Sequence, residues 1–269
     1  MPLVSVIIPT YNHRRYIEDA LRSVYAQTFR DYEIIIVNDG STDDTADILR
    51  HMPRSGSILL IDQTRAGQAS ARNRGLAASK GEFIAYLDSD DIWPGDKLEW
   101  QVRELSRSSS LSMVGGTISI INEDGTERPG PHHPDGVITF EALFGRNPFY
   151  SPGQTLIRAD RLRAIGGFNP SLNGSDDFDA WFRLIRTGEI LFLNRTALRY
   201  RLHGLNASND ILKIAGQALR VVNHHAKAAP PRKRLRLMAI GHYHTYKYAI
   251  RQILRNTKRI SKSLSGKYR

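Results

Sequence analysis

Three carboxylates fall within four positions of the chain, at Asp88, Asp90 and Asp91. Carboxylates this close repel one another and are costly to hold together unless a cation lies among them. Asp88 and Asp90 stand two residues apart, so on an extended backbone they point to the same side and can share one hard divalent metal ion. The alternative is a solvated acidic turn that caps the next helix. We favour the metal site because these residues follow an apolar segment, 83–87, and open α/β sheets bind ligands at the carboxyl ends of their strands.

The elements that position these carboxylates can be predicted from the hydrophobic pattern. Short apolar segments with strand character alternate with segments of helical spacing through the first hundred residues. The predicted strands are 4–8, which Pro9 should end, 32–37, 58–61 and 83–87. The predicted helices are 17–25, one over 46–49 that Ser41 or Thr42 should cap, and 69–79. This alternation predicts an α/β fold, with a mostly parallel, Rossmann-like sheet flanked by helices.

Polar residues that follow the predicted strands should line one crevice, because the carboxyl ends of parallel strands meet at one edge of a sheet. Tyr11 can stack on a nucleobase, Asp39 can hydrogen-bond a base or a ribose, and Arg72 can reach a base or a phosphate. For residues 39–42 a plain turn is the structural alternative. The chain contains neither G-x-G-x-x-G nor G-x-x-x-x-G-K-[ST], which disfavours dinucleotide enzymes and P-loop NTPases.

Seven segments of the chain, taken in order, resemble the successive signatures of the family 2 glycosyltransferases. The segments are 4–12, 37–43, 71–76, 87–91, 166–168, 175–183 and 200–208, so the resemblance covers residues 3–210. It implies the glycosyltransferase A fold, a nucleotide-diphosphate sugar as donor, and transfer with inversion at the anomeric carbon. UDP is the donor nucleotide that the family favours, and nothing in the sequence excludes dTDP or GDP.

The same resemblance implies roles for individual residues. The donor is expected to contact Pro9, Thr10, Tyr11, Asp39, Arg72, Asp88 and Ser89. A divalent metal, Mn²⁺ or Mg²⁺, is expected at Asp90 together with Asp88 and with His203, whose alternative is an ordinary histidine at a strand end. The catalytic base is expected at Asp177, with Asp176 in support. Family members usually have Glu at the position of Asp176, and both acids also suit a helix N-terminus.

Composition limits the compartment and the class of protein. The chain has 269 residues and no cysteine, which excludes disulfides and zinc–thiolate sites. No run approaches the roughly 20 apolar residues of a membrane span. The first three residues lead directly into a predicted strand, without the pattern of a signal peptide. We therefore expect a cytoplasmic protein, with peripheral attachment to the inner face of the cell membrane as a hypothesis.

The positive charge lies at the C-terminal end. Residues 211–269 hold 15 of the 38 Lys and Arg residues and none of the 27 Asp and Glu residues, which leaves 23 basic and 27 acidic residues in 1–210. We predict a catalytic domain over 1–210 and a basic α-helical extension over 211–269. Residues that recur at helical spacing predict one face of this extension: Met238, His242, Tyr246, Ile250, Ile253, Thr257, Ile260 and Leu264. Basic residues predict a different face: Lys247, Arg251, Arg255 and Arg259.

Such a basic amphipathic helix suits an anionic membrane surface. Packing against the catalytic domain is the equal alternative, and the acidic body makes nucleic acid an unlikely partner. The expected acceptor is a surface polysaccharide or a lipid-linked glycan, selected by segments 123–153 and 166–174. Two other function classes stay open, a nucleotidyltransferase and a non-catalytic protein that binds nucleotide sugars. Asp39, Asp88, Asp90 and Asp177 together disfavour the second.

Overall fold

The structure is a computed structural model of the chain, and it describes residues 1–51, 58–122, 124–172, 174–204 and 210–265. The chain forms two compact units. The first comprises Met1–Thr139 and Pro148–His203, and the second comprises Phe140–Asn147 and Gly204–Arg269. The predicted domain division at residue 210 stays a prediction.

A single mixed sheet runs through the first unit. Its strands are β1 (Val4–Thr10), β2 (Tyr32–Asp39), β3 (Ile58–Gln63), β4 (Phe83–Tyr86), β5 (Leu111–Ile121), β6 (Glu127–Pro129), β7 (Gly136–Ile138), β8 (Thr155–Arg158) and β9 (Glu189–Arg201). Across the sheet their order is β3-β2-β1-β4-β8-β5-β9-β7, with β6 paired to β5. β1 to β4 run parallel to one another, and β5 runs parallel to β9. The predicted α/β fold with a mostly parallel sheet is confirmed.

The described residues also form helices. They are α1 (Ile17–Tyr25), α2 (Thr45–His51), α3 (Gln68–Ala78), α4 (Lys97–Ser106), α5 (Phe140–Arg146), α6 (Ala159–Ala164), α7 (Asp176–Leu184), α8 (Ile211–Ala226) and α9 (Pro231–Ser265). α1 forms because its apolar residues recur at helical spacing. Ile17, Ala20, Leu21 and Val24 are buried, whereas Glu18 and Arg22 pair on the solvent side.

Alternation along β1 places different side chains on the two faces of the sheet. Val4, Val6 and Ile8 are buried in the core that α1 and α4 share. Ile7 points to the other face, where α3 packs so closely that a Cβ on Gly75 would lie 2.3 Å from the Ile7 Cγ2 atom. A side chain at position 75 would push α3 away from the sheet. This contact sets the height of α3 above the sheet, and α3 carries Arg72.

Two of the expected boundaries are wrong. Pro9 lies inside β1, opposite Val37 of β2, because the pairing of β1 with β4 has already ended at Ile7 and Tyr86. A proline there costs no hydrogen bond to β4. The cap of α2 is neither Ser41 nor Thr42.

Asp43 instead binds the start of α2, because its Oδ1 accepts from the Thr45 backbone N–H at 3.0 Å. Ser41 and Thr42 instead bind Asn12, whose side-chain Oδ1 accepts from the Thr42 N–H at 2.7 Å. Asn12 has a φ of 54°, a left-handed conformation that asparagine tolerates better than most residues. The Asn12 amide therefore ties the loop after β1 to the loop after β2.

The second unit contains α5, α8 and α9. α9 begins at Pro231, a position that suits proline because the first turn of a helix leaves its N–H groups unpaired. Within the described residues, no helix combines the length and the apolar character needed to cross a membrane. Side chains beyond residue 254, including Thr257, Ile260, Leu264, Arg255 and Arg259, lie outside the described part.

We expect Gly75→Ala to lower the free energy of unfolding by about 1–3 kcal/mol, because the new methyl group overpacks the contact with Ile7. Gly216→Ala in α8 is the matched control. Among the described residues no atom would lie within 4 Å of its Cβ, so it should stabilise by about 0.5–1 kcal/mol. Urea unfolding followed by circular dichroism measures both. An unchanged midpoint for Gly75→Ala would contradict the close packing of α3.

Candidate functional site

The predicted nucleoside contacts lie at the carboxyl ends of β1 and β2. Asp39 is buried, and its carboxylate accepts from the Gln63 side chain at 2.7 Å and from the N–H groups of Ala66 and Gly67 at 2.8 Å each. Gly67 has a φ of 92°, which favours glycine. Asp39 thus fixes the loop that leads into α3 and lies at the crevice edge.

Tyr11 lies beside the same loop. The Arg65 guanidinium carbon is 3.7 Å from the centroid of the Tyr11 ring, and Arg65 also donates a hydrogen bond to the Tyr11 hydroxyl. A cation over an aromatic face is attracted by the ring quadrupole. One face of Tyr11 is therefore covered. Pro9 and Thr10 are buried behind it, and the Thr10 hydroxyl has no hydrogen-bond partner among the described residues.

The segment from Asp88 to Asp91 is a turn, so the expectation that Asp88 and Asp90 share one side of an extended backbone is wrong. β4 ends at Tyr86, and the Asp91 N–H donates to the Asp88 carbonyl oxygen at 3.0 Å. The turn sends the three carboxylates in different directions. Each of them meets different hydrogen-bond partners: Arg72 for Asp88, His203 for Asp90 and the Arg201 backbone N–H for Asp91.

Asp88 is held by three side chains from two parts of the chain, α3 and the segment that contains Ser151. One carboxylate oxygen accepts from Arg72 and from Gln68, both at 2.9 Å, and the other accepts from the Ser151 hydroxyl at 2.8 Å. Asp88 is not among the residues that cluster around Asp90 as candidate metal ligands in the described part of the chain. Its predicted contact with a donor or a metal stays a prediction.

Asp91 is fully buried, and its role is structural in the described fold. Burial, together with the negative charges of Asp90 and Asp88, raises the pKa of the Asp91 carboxyl well above its usual range. Asp91 Oδ1 accepts from the Arg201 backbone N–H at 2.8 Å, which joins the turn to the end of β9.

Arg72 connects the turn after β4 to the start of α7. One guanidinium nitrogen donates to Asp88 at 2.9 Å and another donates to Asp176 at 2.8 Å, while only 3% of the Arg72 side chain is exposed. Burial alone would lower the pKa of Arg72, but the charges of Asp88 and Asp176 raise it. The guanidinium is therefore charged, and Asp176 is engaged in a buried ion pair.

Asp177 is the next residue, yet its surroundings are different. Burial, together with the negative charge of Asp176, raises the pKa of Asp177 to about 7, although Arg72 opposes the shift. Among the described residues no cationic side chain donates a hydrogen bond to its carboxylate. A carboxylate with this pKa can take up a proton and release it near neutral pH, which is what a general base requires.

A second group of side chains surrounds Asp90. His13, Asp90 and His203 each offer one ligand atom, and these atoms lie within 4.8 Å of one another. Asp90 Oδ2 is 2.8 Å from His203 Nε2, and His13 Nδ1 is 2.7 Å from the Ser89 hydroxyl. Burial alone would raise the pKa of Asp90, but the hydrogen bond with His203 and the nearby imidazoles lower it.

These three residues fit a divalent metal ion by their chemistry. Imidazole nitrogens suit transition-metal ions such as Zn²⁺, Fe²⁺ and Ni²⁺, and a carboxylate also suits Mn²⁺ and Mg²⁺. Mg²⁺ prefers oxygen ligands and waters. The donor set therefore suits a transition-metal ion better than Mg²⁺.

Aromatic and cationic neighbours hold this group in place. The Tyr16 ring stacks on His203, with centroids 4.8 Å apart and planes at 27°. The Arg201 guanidinium carbon lies 5.1 Å from the centroid of the same Tyr16 ring, and Arg201 also donates to the Asp90 backbone oxygen at 3.0 Å. His203 is therefore oriented by a stacking partner as well as by Asp90.

The structure brings together more residues than the sequence predicted. His13, Gln68 and Ser151 contact the predicted site residues and were not expected there. The sequence could have indicated His13, because it directly follows Tyr11 and Asn12 after the first predicted strand. Nothing in the sequence indicates Ser151, which lies 63 positions from Asp88. Residues 205–208 of the last predicted signature, 200–208, lie outside the described residues.

The chain is similar to known sugar-transferring enzymes. The model of Glycosyl transferase family 2 matches residues 5–166. The putative teichuronic acid biosynthesis glycosyltransferase TuaG of Bacillus subtilis strain 168 is 34% identical over 218 residues, which cover 80% of this chain and 84% of TuaG. The chain spans about a third of the length of several other curated relatives.

Two solved structures share the fold. The S. aureus TarS 1–349 structure in complex with UDP-GlcNAc has a TM-score of 0.71 at 19% identity, covering 88% of this chain and 71% of TarS 1–349. The mannosyltransferase PcManGT from Pyrobaculum calidifontis, in complex with GDP-Man and Mn²⁺, has a TM-score of 0.69 at 20% identity. The match covers 96% of this chain and 75% of the PcManGT chain. The predicted glycosyltransferase A fold is confirmed.

The family match covers most of the sheet and both strand ends at which Asp39 and Asp90 lie. The resemblance seen in seven short segments is thereby confirmed along more than half of the chain. The protein is a member of glycosyl transferase family 2.

Proposed function

We propose that this protein transfers a sugar from a UDP-sugar to an acceptor hydroxyl, with inversion at the anomeric carbon. The observation that carries the proposal is the pairing of Arg72 with both Asp88 and Asp176. It joins a crevice at the strand ends to Asp177, whose raised pKa suits a base. Family membership favours sugar transfer over nucleotidyl transfer and over binding alone.

The nucleoside end of the donor is proposed to lie at the carboxyl ends of β1 and β2. Tyr11 would stack on the base, and Asp39, Pro9 and Thr10 would line the same pocket. The Thr10 hydroxyl is buried and lacks a partner among the described residues, so it can hydrogen-bond a ligand. TarS 1–349 in its UDP-GlcNAc complex shares the fold, which supports UDP, whereas PcManGT holds GDP-Man.

The diphosphate is proposed to lie near Asp88, Ser89 and Asp90. His13, Asp90 and His203 would hold a divalent cation there, which we propose to be Mn²⁺. When bound, the cation supplies positive charge that stabilises the departing nucleoside diphosphate. Arg72 is a second, permanent positive charge, and it holds Asp88 in position at 2.9 Å. PcManGT contains Mn²⁺ in its complex, which supports the choice of metal.

Asp177 is proposed to act as the general base. Its carboxylate takes the proton of the acceptor hydroxyl, whose oxygen forms the new bond to the anomeric carbon. The bond from that carbon to the diphosphate oxygen breaks on the opposite face, and the electron pair leaves with the nucleoside diphosphate. One displacement inverts the configuration. Asp176 acts on Asp177 through its charge, and Arg72 binds Asp176 at 2.8 Å.

The acceptor is proposed to be a growing surface polysaccharide or a lipid-linked glycan. TuaG carries teichuronic acid biosynthesis in its name, which supports a cell-envelope polymer. Selectivity for the acceptor would lie in segments 123–153 and 166–174, of which residues 123 and 173 are outside the described part. A cytoplasmic location, at the inner face of the cell membrane, would suit such an acceptor.

We expect Asp177→Asn to lower the turnover number by about 10²–10⁴, because an amide cannot accept the proton of the acceptor hydroxyl. Asp179→Asn on the same helix is the matched control, since that carboxylate pairs with Arg183 at 2.7 Å. Release of UDP from a UDP-sugar in the presence of acceptor measures both. The affinity for UDP should stay within about twofold of wild type. Equal turnover in wild type and Asp177→Asn would remove Asp177 from the mechanism.

The pH profile of kcat/KM should rise with pH through about 7, the value to which the pKa of Asp177 is raised. Below that value the base is protonated, so the rate falls about tenfold per pH unit. Asp176→Asn removes a negative charge that raises the pKa, and it frees Arg72 to lower it. The inflection should then move to lower pH. A flat profile between pH 5.5 and 8.5 would contradict the assignment.

UDP with Mn²⁺ should stabilise the protein more than UDP alone or GDP with Mn²⁺. At a hundred times the dissociation constant the gain is about 2.7 kcal/mol, or roughly 5–10 °C in thermal unfolding. His13→Gln should lose the part of the shift that depends on the metal. His51→Gln is the control, because His51 is exposed at the end of α2. A full metal-dependent shift in His13→Gln would show that His13 is not a ligand.

A further inference from the structure

An exposed apolar stripe runs along α9. The side chains that form it are large and hydrophobic, with exposed fractions of 78%, 58%, 53%, 58% and 56%: Leu235, Tyr243, Tyr246, Ile250 and Leu254. At 100° per residue these five positions fall within about 100° of the helix circumference. Scattered exposed hydrophobic residues are ordinary on a protein surface, but a contiguous stripe marks an interaction site.

Among the described residues of the second unit, packing does not use this stripe. α9 contacts α8 through a different face, where Leu237 and Ala249 are buried and where a Cβ on Gly241 would lie 2.6 Å from the Val222 side chain. Ile211 and Ala215 of α8 form a small buried cluster with Ala249. The two helices are therefore held together by the face opposite to the stripe.

A basic rim, defined as Arg236, Lys247 and Arg251, borders one side of the stripe. On the helix these residues lie within about 60° of the arc next to Leu254. Lys247 donates to the Tyr243 hydroxyl at 3.3 Å, with its ammonium 5.2 Å from the ring centroid. The whole segment from 211 to 269 contains 15 Lys and Arg residues and no Asp or Glu. This segment therefore supplies positive charge and no negative charge beside the stripe, while Glu141 of α5 pairs with Lys233 at 3.0 Å.

We propose that the stripe and the basic rim dock α9 on an anionic membrane, with the helix lying in the plane of the interface. The apolar side chains enter the boundary between headgroups and acyl chains, and the basic rim contacts anionic headgroups. Tyr243 and Tyr246 suit the interface because each has an apolar ring and a polar hydroxyl. We choose an anionic membrane as the partner because its negative headgroups complement the positive charge of the basic rim.

The other occupants fit the surface less well. A second copy of the chain would bring one basic rim against another, and residues 211–269 offer no carboxylate to pair with it. A nucleic acid would use the basic rim but leave the apolar stripe in water. An anionic lipid surface satisfies both parts of the surface at once, and this docking does not depend on the sugar chemistry proposed above.

Co-sedimentation of the full chain with lipid vesicles tests the proposal. We expect strong binding to phosphatidylcholine vesicles that contain about one third phosphatidylglycerol, and weak binding to phosphatidylcholine alone. The variant Tyr246→Ser/Ile250→Ser should bind at least about tenfold more weakly, because less apolar area enters the interface. The variant Lys247→Gln/Arg251→Gln should lose about fivefold per residue at low ionic strength.

Leu212→Ser is the matched control, since Leu212 is 77% exposed on α8 and lies outside the stripe. It should bind the anionic vesicles as wild type does. Stabilisation by UDP and Mn²⁺ should be the same in all variants, which verifies that they are folded. The proposal is overturned if wild type stays unbound at low ionic strength, or if Tyr246→Ser/Ile250→Ser binds unchanged. It is also overturned if sedimentation without lipid shows a dimer that this variant dissociates.

Discussion

The arrangement of the site depends on one buried guanidinium. Arg72 lies on α3, and it binds Asp88 after β4 and Asp176 at the start of α7, at 2.9 Å and 2.8 Å. The two carboxylates are separated by 88 positions in the sequence, and both bind the guanidinium of Arg72, which is almost completely buried. Removing one partner from such a buried network leaves uncompensated charge, which typically costs about 3–5 kcal/mol. Each of the three side chains therefore depends on the other two for its position and for a partner of opposite charge.

The reach of Arg72 is in turn set by its neighbours on α3. Gly75 lets the helix approach Ile7 on β1, and Asn73 fixes the opposite side of the helix. The Asn73 amide donates to the Phe168 carbonyl at 2.7 Å and accepts from the Phe168 N–H at 2.8 Å. Gly167 has a φ of 69°, and a Cβ on it would lie 2.4 Å from the Asn73 Oδ1 atom. The segments 71–76 and 166–168, which resemble separate family signatures, are two sides of one contact.

This dependence explains what the sequence could and could not predict. The first strands and the gathering of polar residues at one sheet edge follow from local periodicity, and the structure has both. The turn after Tyr86 was predicted wrongly, because a hydrogen bond between Asp91 and Asp88 decides it and no pattern signals that bond. α4 was not predicted, because two of its buried residues, Lys97 and Gln101, are polar and interrupt the apolar pattern of its buried face. Ser151 reaches Asp88 across 63 positions of sequence, a contact that only the folded sheet creates.

Asp176 and Asp177 show how neighbouring carboxylates acquire different chemistry. Successive residues in a helix point about 100° apart, so one side chain can face Arg72 while the next faces away. Asp176 is satisfied on both oxygens, by Arg72 at 2.8 Å and by the Gly174 N–H at 3.1 Å. Asp177 receives the charge of Asp176 but is not bonded to that guanidinium, and its pKa rises. Pairs of carboxylates whose environments separate their pKa values are the usual basis for dividing acid and base roles.

The unusual Asp at position 176 fits this division. The short side chain allows one carboxylate to accept from Arg72 and from the Gly174 backbone at the same time, within the first turn of α7. A longer Glu would place its carboxylate one methylene further from the backbone, and the bond to Gly174 would have to be replaced. In this chain the position therefore acts as the anchor of the ion pair. It also supplies the fixed negative charge that keeps the pKa of Asp177 high.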